Sequence, residues 1–270
     1  MLAMKQHTEM VYSESGGVTK TASAVSLAVQ AAHRGIPTLL VDLDPRAAST
    51  KWLGVAPKEP WQTVAAIIGD EEPIGWANDL ALRSSWNENL RIVPSDRNLS
   101  VQERVQADNS EQRLSMALED LPEQLVIIDC PNRQGGMLTQ NALGAADGVI
   151  YAASASQDGV DGVLGARDSV DRFVRSRQRI GAPVPLTETG IIVGNVADTI
   201  LTKVAKASLE DLAETGLMLY PTIPRRTIVD QARMTGTWYG SYDKGAPVVA
   251  AYDQILDQIL TKADLPTTAH

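Results

Sequence analysis

Two adjacent glycines, Gly16 and Gly17, followed by Val18, Thr19, Lys20 and Thr21, lie between an apolar run ending in Met10-Val11-Tyr12 and the helix-compatible stretch Thr21 to Val29. No other feature constrains the chain as strongly, because a strand must enter this segment, a tight loop must turn it and a helix must leave it. Glycine admits backbone angles closed to other residues. In such a loop the amides at the helix start point at anionic oxygens, the Lys20 ammonium reaches terminal phosphates and the Thr21 hydroxyl is placed to ligate Mg²⁺. An ordinary glycine turn before a helix would use similar letters. The standard phosphate loop also has a glycine directly before its lysine, where this chain has Thr19.

The next strands narrow the choice. Ile36 to Asp44 is a short, nearly continuous apolar run that ends in two carboxylates, Asp42 and Asp44, and is then broken by Pro45 and Arg46. Such runs mark buried parallel strands, and their carboxyl ends are where ligands sit in open α/β sheets. Leu125 to Pro131 repeats the design, ending in Asp129, Cys130 and Pro131. Beside the glycine loop, Asp129 could hold Mg²⁺ through water; taken alone, it could equally cap a local turn. Three such features in one chain favour a nucleotide site.

Further elements follow in order. Trp61 to Ile68 reads as a helix, Leu90 to Pro94 as a strand, and Asn98 to Leu121 as one polar, exposed helix. Tryptophans at 52, 61, 76 and 86 read as core filling rather than a partner surface. Gly148 to Ala153 is a strand and Gly159 to Arg179 a long helix carrying Arg172, Arg175, Arg177 and Arg179 near its end. That charge either complements the helix dipole or contacts a phosphate backbone, and both readings stay open. Gly190 to Asn195 is a strand whose terminal amide could read a base edge or cap a turn. Lys203 to Thr215 and Val248 to Lys262 are helices, and Asp264 to His270 is a frayed tail. The alternation predicts a single domain over 1–270, an α/β doubly wound, mostly parallel sheet, and the glycine loop with its acidic strand ends makes it one of the P-loop nucleotide hydrolase type.

Composition excludes several alternatives. The formal net charge of -9 disfavours nucleic acid binding by the molecule as a whole, so any DNA contact must come from a local cationic cluster. One cysteine and three scattered histidines rule out a disulfide framework or a Cys/His metal site. No run is apolar enough to span a bilayer, and the first ten residues lack a signal-peptide core, so the chain reads as soluble and cytoplasmic.

Together these motifs resemble the ParA/MinD family of deviant P-loop ATPases, in its ParA branch. The likeness covers nearly the whole chain: Gly16 to Thr21, Leu40 to Pro45, Val126 to Pro131, Ala145 to Ile150 and Ile223-Pro224-Arg225 stand in family order. The family loop tolerates other residues before its lysine, which removes the objection to Thr19. The resemblance implies ATP and Mg²⁺ as cofactors. It makes Lys20 the ligand of the β- and γ-phosphates, Thr21 a Mg²⁺ ligand, Asp44 the residue that orients the attacking water, and Asp42 and Asp129 supports of the metal's water shell. Pro224 would pack on adenine, with Asn195 and Arg225 beside it. It further implies an ATP-dependent homodimer that binds DNA nonspecifically on the nucleoid and hydrolyses ATP when a ParB-type centromere-binding protein stimulates it. Because the loop begins near residue 13, the small type without an N-terminal helix-turn-helix is expected.

One position departs from the family. Where relatives carry a lysine directly before the glycine pair, reaching across the dimer, this chain has Ser15, and a hydroxyl cannot replace a cation beside a polyanion. Slow hydrolysis or a weakened dimer is expected, with Arg46 or Arg133 as candidates for the missing charge. A largely non-hydrolysing, DNA-bound scaffold is the main alternative. A MinD-like membrane regulator fits less well, because Lys262 to His270 contains a proline and few basic residues.

Overall fold

The computed structural model describes residues 6–104, 110–182 and 184–267. β1 (His7–Tyr12) is buried along its whole length and becomes an inner strand of a seven-stranded sheet. α1 (Lys20–His33) leads to β2 (Thr38–Asp42), and the short helices α2 (Ala48–Trp52), α3 (Val64–Gly69) and α4 (Trp76–Leu80) precede β3 (Leu82–Arg83) and β4 (Leu90–Val93). α5 (Leu99–Gln102) and α6 (Arg113–Ala117) bring the chain to β5 (Leu125–Asp129), α7 (Met137–Ala145), β6 (Gly148–Ser154), α8 (Gln157–Arg179) and β7 (Thr187–Gly194). α9 (Lys203–Glu214), α10 (Thr227–Thr235) and α11 (Ala246–Lys262) are the remaining α-helices among the described residues. The strand order is β3-β4-β2-β5-β1-β6-β7, and all pairings are parallel except β3 with β4.

Parallel neighbours need crossover connections, and the helices supply them on both faces. Strand residues divide by parity. Met10, Tyr12, Val126, Ile128, Val149 and Tyr151 face one core with Ile67 of α3, Leu114 of α6, Leu138 of α7 and Val163 of α8. Val11, Leu40, Ile127 and Ile150 face the other, with Leu27 of α1 and Ile255 and Ile259 of α11. Arg34, just past α1, bonds Asp253 at 2.6 Å and Asp257 at 2.5 Å and ties that helix to α11. The doubly wound, mostly parallel sheet is therefore as expected.

The helix predicted over 98–121 does not form as one element. It is broken after α5, residues 105–109 lie outside those described, and α6 resumes with Arg113 and Leu114 buried. The sparse apolar face belongs to two short helices that pack Leu99, Leu114 and Ala117 into the core. The helix predicted from Trp61 begins at Val64, leaving Trp61 60% exposed. Trp52 is fully buried, with its ring 6.5 Å from Trp86, whose ring lies 6.0 Å from Trp238; Trp76 packs partly buried on the opposite core. The tail is ordered at its start: Asp264 closes α11 at φ 56°, and Leu265 packs on the core. Residues 268–270 of that predicted tail, and residues 1–5 of the N-terminal reading, lie outside the described residues. β3, α2, α4, α7 and α10 carry no prediction from the sequence.

Candidate functional site

The carboxyl ends of β1, β2 and β5 meet in register, with Val11 opposite Asp129 and Asp129 opposite Asp42. The loop leaving β1 is held down by α8, where glycines replace side chains that would collide. A Cβ at Gly162 would stand 2.6 Å from the Ser15 Cβ, and one at Gly165 would stand 2.3 Å from Glu14 Oε2. Gly17 takes φ 74°, which favours glycine, and Thr19 takes φ 67° without a side-chain cap on α1. The first turn of α1 carries no acidic residue, so its amide end presents uncompensated positive potential to the loop.

Around this loop lies a cavity of about 1000 Å³. Its lining includes Gly17, Val18, Thr19, Lys20 and Thr21 of the loop, Asn195, Pro224 and Arg225, and Asp44 and Arg46. Gly16 lies in the loop but outside the lining, 3.1 Å from Asn132 Nδ2 by its would-be Cβ. The structure thus brings together the predicted loop, one acidic strand end and the late proline segment.

Lys20 is buried, and its ammonium donates to the Ser15 carbonyl at 2.9 Å. Desolvation lowers its pKa, partly offset by Asp129. Asp42 is fully buried and saturated: Oδ2 accepts from the Thr50 amide at 2.8 Å and the Thr50 hydroxyl at 2.7 Å, while Oδ1 accepts from the Asp44 amide at 3.2 Å. Those bonds hold the turn that carries Asp44. Asp129 differs, since Oδ2 accepts from the Ser49 hydroxyl at 2.6 Å but Oδ1 is buried without a partner. Burial raises the pKa of both carboxyls; the Asp129 charge adds to the rise at Asp42 and the Asp44 charge to the rise at Asp129, while the Ser49 and Thr21 hydroxyls support the ionised form of Asp129. An orphaned carboxylate oxygen beside a threonine hydroxyl suits a divalent cation. Among the described residues no three His, Cys, Asp or Glu side chains gather as a metal site, so Mg²⁺ here would take its other ligands from phosphate and water.

Asp44 is engaged by Arg46. The Arg46 Nε donates to both carboxylate oxygens at 3.1 Å, Nη2 donates to Oδ2 at 2.7 Å, and the Arg46 amide donates to Oδ1 at 2.9 Å. Nη2 also donates to Asn132 Oδ1 at 2.6 Å. Of the two candidates for a compensating cation, Arg46 lines the cavity, whereas Arg133 pairs with Glu103 and is not part of the lining. The predicted arginine patch lies elsewhere on α8. It is interleaved with acids, Arg172 pairing with Asp168 at 2.8 Å and Arg175 with Asp171 at 3.1 Å; Arg177 and Arg179 occupy the last turn.

Sequence reasoning missed Ser49, Thr50, Asn132 and the α10 wall formed by Val229, Asp230, Arg233 and Met234. Ser49 and Thr50 follow the acidic strand end directly, so their hydroxyls were legible as turn partners. α10 offered only a sparse pattern, with Ala232 its one buried residue.

A family model described as an AAA domain matches residues 7–180, which contain the glycine loop and both acidic strand ends. This chain belongs to that family. Its relatives make it a ParA-type P-loop ATPase by family. The chromosome-partitioning ATPase Soj of Thermus thermophilus is 28% identical over 264 residues, covering 97% of this chain and 98% of Soj. Among solved structures, a Cyanothece McdA variant in complex with ATP superposes with a TM-score of 0.81 at 22% identity, over 99% of this chain and 100% of that one. Cobyrinic acid a,c-diamide synthase from Mycobacterium smegmatis, with a bound ATP analogue and magnesium, gives a TM-score of 0.73 at 27% identity, over 98% of this chain and 100% of that one.

Proposed function

We propose that this ParA-type chain binds ATP with Mg²⁺, dimerises on doing so, holds DNA without sequence preference and hydrolyses ATP in response to a ParB-type partner. The observation that carries the reading is the cavity itself, whose lining brings together the Lys20-Thr21 helix start, Asp44 and the residues Asn195, Pro224 and Arg225. In this reading Lys20 binds the β- and γ-phosphates, and the loop amides from Gly16 to Thr21 surround them. Thr21 and the open Oδ1 of Asp129 hold the metal and its water. Asp42, saturated by Thr50 and Asp44, supports the metal's surroundings by fixing the turn. Pro224, Asn195 and Arg225 receive the base. Mg²⁺ supplies charge neutralisation of the phosphates when bound. Asp44 orients the attacking water, and Arg172, Arg175, Arg177 and Arg179 contact the DNA backbone. The protein works in the cytoplasm, on the nucleoid; among the described residues no helix is long and apolar enough to cross a membrane.

ATP-dependent DNA retention measured beside phosphate release tests the reading. Retention with ATP and not ADP, with turnover raised by DNA and a ParB-type protein, is the expected outcome. Absence of nucleotide binding overturns it.

The non-hydrolysing scaffold is favoured by two observations: Ser15 offers no cation, and Arg46 covers Asp44. Comparing turnover of wild type and Ser15→Lys separates the two readings. A handicapped site predicts a gain of about tenfold or more, the scale of one restored charge contact. Brisk wild-type turnover with no gain in the variant removes the handicap.

A further inference from the structure

Arg46 holds an unusual position in the cavity. Its turn is fixed: the Ala47 amide donates to the Asp44 carbonyl at 2.8 Å, Ala47 sits at φ 54°, and Lys51 Nζ donates to the Arg46 carbonyl at 2.6 Å. The side chain is long and 66% exposed, while the Asp44 side chain beneath it is 6% exposed. The guanidinium therefore moves on a rigid base, and its two anchors, Asp44 and Asn132, are both acceptors on the wall of the cavity that contains Lys20.

A carboxylate receiving three N–H contacts from one arginine side chain is shielded from a water molecule it would otherwise orient. A guanidinium fork matches a terminal phosphate as well as it matches a carboxylate, and the phosphate carries more charge and more acceptor oxygens. We propose that Arg46 is the residue that reads the terminal phosphate of a nucleoside triphosphate within its own chain, exchanging Asp44 and Asn132 for that phosphate and thereby uncovering Asp44. A diphosphate, which lacks that group, leaves Arg46 on Asp44. One residue then both discriminates triphosphate from diphosphate and couples the discrimination to exposure of the water-orienting carboxylate. No bond is made or broken in this exchange; only the hydrogen-bond partners of Arg46 and Asp44 change.

The inference rests on the nucleotide reading of the cavity, and its test separates the two. Dissociation constants of Mg²⁺-ADP and of a non-hydrolysable Mg²⁺-ATP analogue are measured calorimetrically for the full chain as wild type, Arg46→Gln and Arg46→Lys, with single-turnover hydrolysis of ATP alongside. Charge-assisted contacts of this kind change affinity by about 10- to 100-fold. Arg46→Gln is expected to lose triphosphate preference on that scale while holding ADP within about twofold of wild type, the limit set by an unchanged diphosphate site. Arg46→Lys is expected to recover part of the preference without the bidentate geometry, and single-turnover hydrolysis at saturating ATP is expected to persist in Arg46→Gln, whose Asp44 stays uncovered. A preference unchanged in both variants, or a wild type that binds the two nucleotides equally, overturns the role of Arg46 and leaves the nucleotide reading standing. A wild type that binds neither nucleotide overturns both.

Discussion

Lys20 illustrates how a residue can be poised at a cost to the fold. Its ammonium is buried, desolvation lowers its pKa, and its observed partner is the neutral carbonyl of Ser15 rather than a carboxylate. Lys20→Gln removes that desolvation penalty, so its melting temperature without nucleotide should match or exceed wild type. Ligand binding stabilises a native state by mass action, so the rise in melting temperature produced by Mg²⁺-ATP in wild type should vanish in the variant, with phosphate release falling at least about tenfold, the scale of one lost electrostatic contact. Differential scanning fluorimetry with and without nucleotide checks both. The loop that places Lys20 was legible in the sequence because its determinants are local: two glycines, a strand before and a helix after. The Arg46–Asp44 pairing was less so. Two residues after the carboxylate, Arg46 could have pointed into solvent, and only the turn fixed by Ala47 and Lys51 directs it back.

At the scale of elements, α8 and the loop after β1 approach closely enough that glycine is required between them. Gly162→Ala would set its Cβ 2.6 Å from the Ser15 Cβ and 3.0 Å from the Ser15 amide. Overpacking of this kind costs about 1–3 kcal/mol, and urea denaturation should show that loss with an unchanged slope. The opposite end of the sheet has its own buried group. Glu9 on β1 accepts from His7 Nε2 at 2.8 Å and from the Thr189 hydroxyl at 2.8 Å. Burial raises its pKa above the ordinary 4.5, against His7 and Thr189, which lower it; Asp147 adds to the rise. The folded state therefore binds this proton more tightly than the unfolded chain, and its stability falls as pH rises from about 4.5. Glu9→Gln, which keeps an acceptor for Thr189, should gain in melting temperature relative to wild type as pH is raised from 4.5 to 8, and a gain independent of pH would show that burial of charge is not the cause. Strand spacing was readable because parity sorted each apolar run onto two cores. The segment 98–121 was misread because Leu99, Leu114 and Ala117 suit one helical face on paper, while Arg113 is buried with Nη1 donating to the Ile68 carbonyl at 2.5 Å, an anchor no periodicity reveals.

For the whole molecule, the balance of charge matters more than any pair. With a net charge of -9, any DNA retention must come from a local surface, and the arginines near the end of α8 are partly matched by Asp168 and Asp171. Exposed ion pairs of that type contribute little and open readily to a competing phosphate. Reversing Arg175 and Arg177 to glutamate should weaken ATP-dependent DNA retention and lower the salt dependence by about one to two phosphate contacts, with ATP affinity unchanged, as nitrocellulose filter binding over a salt series would read. Unchanged retention would move the DNA surface to Lys203, Lys206, Arg225 or Arg226. The doubly wound architecture was legible from the alternation of strands and helices alone, whereas the exposed α10 was not, because a helix with one buried residue leaves almost no hydrophobic pattern. The aromatic group behind the cavity adds an optical consequence. Trp52 lines the cavity while fully buried, and it stands in ring contact with Trp86, which reaches Trp238. Indoles this close share excitation energy, so a ligand that shifts the Trp52 ring alters the emission of all three. Rapid-mixing fluorescence can then time the arrival of nucleotide in the unlabelled protein.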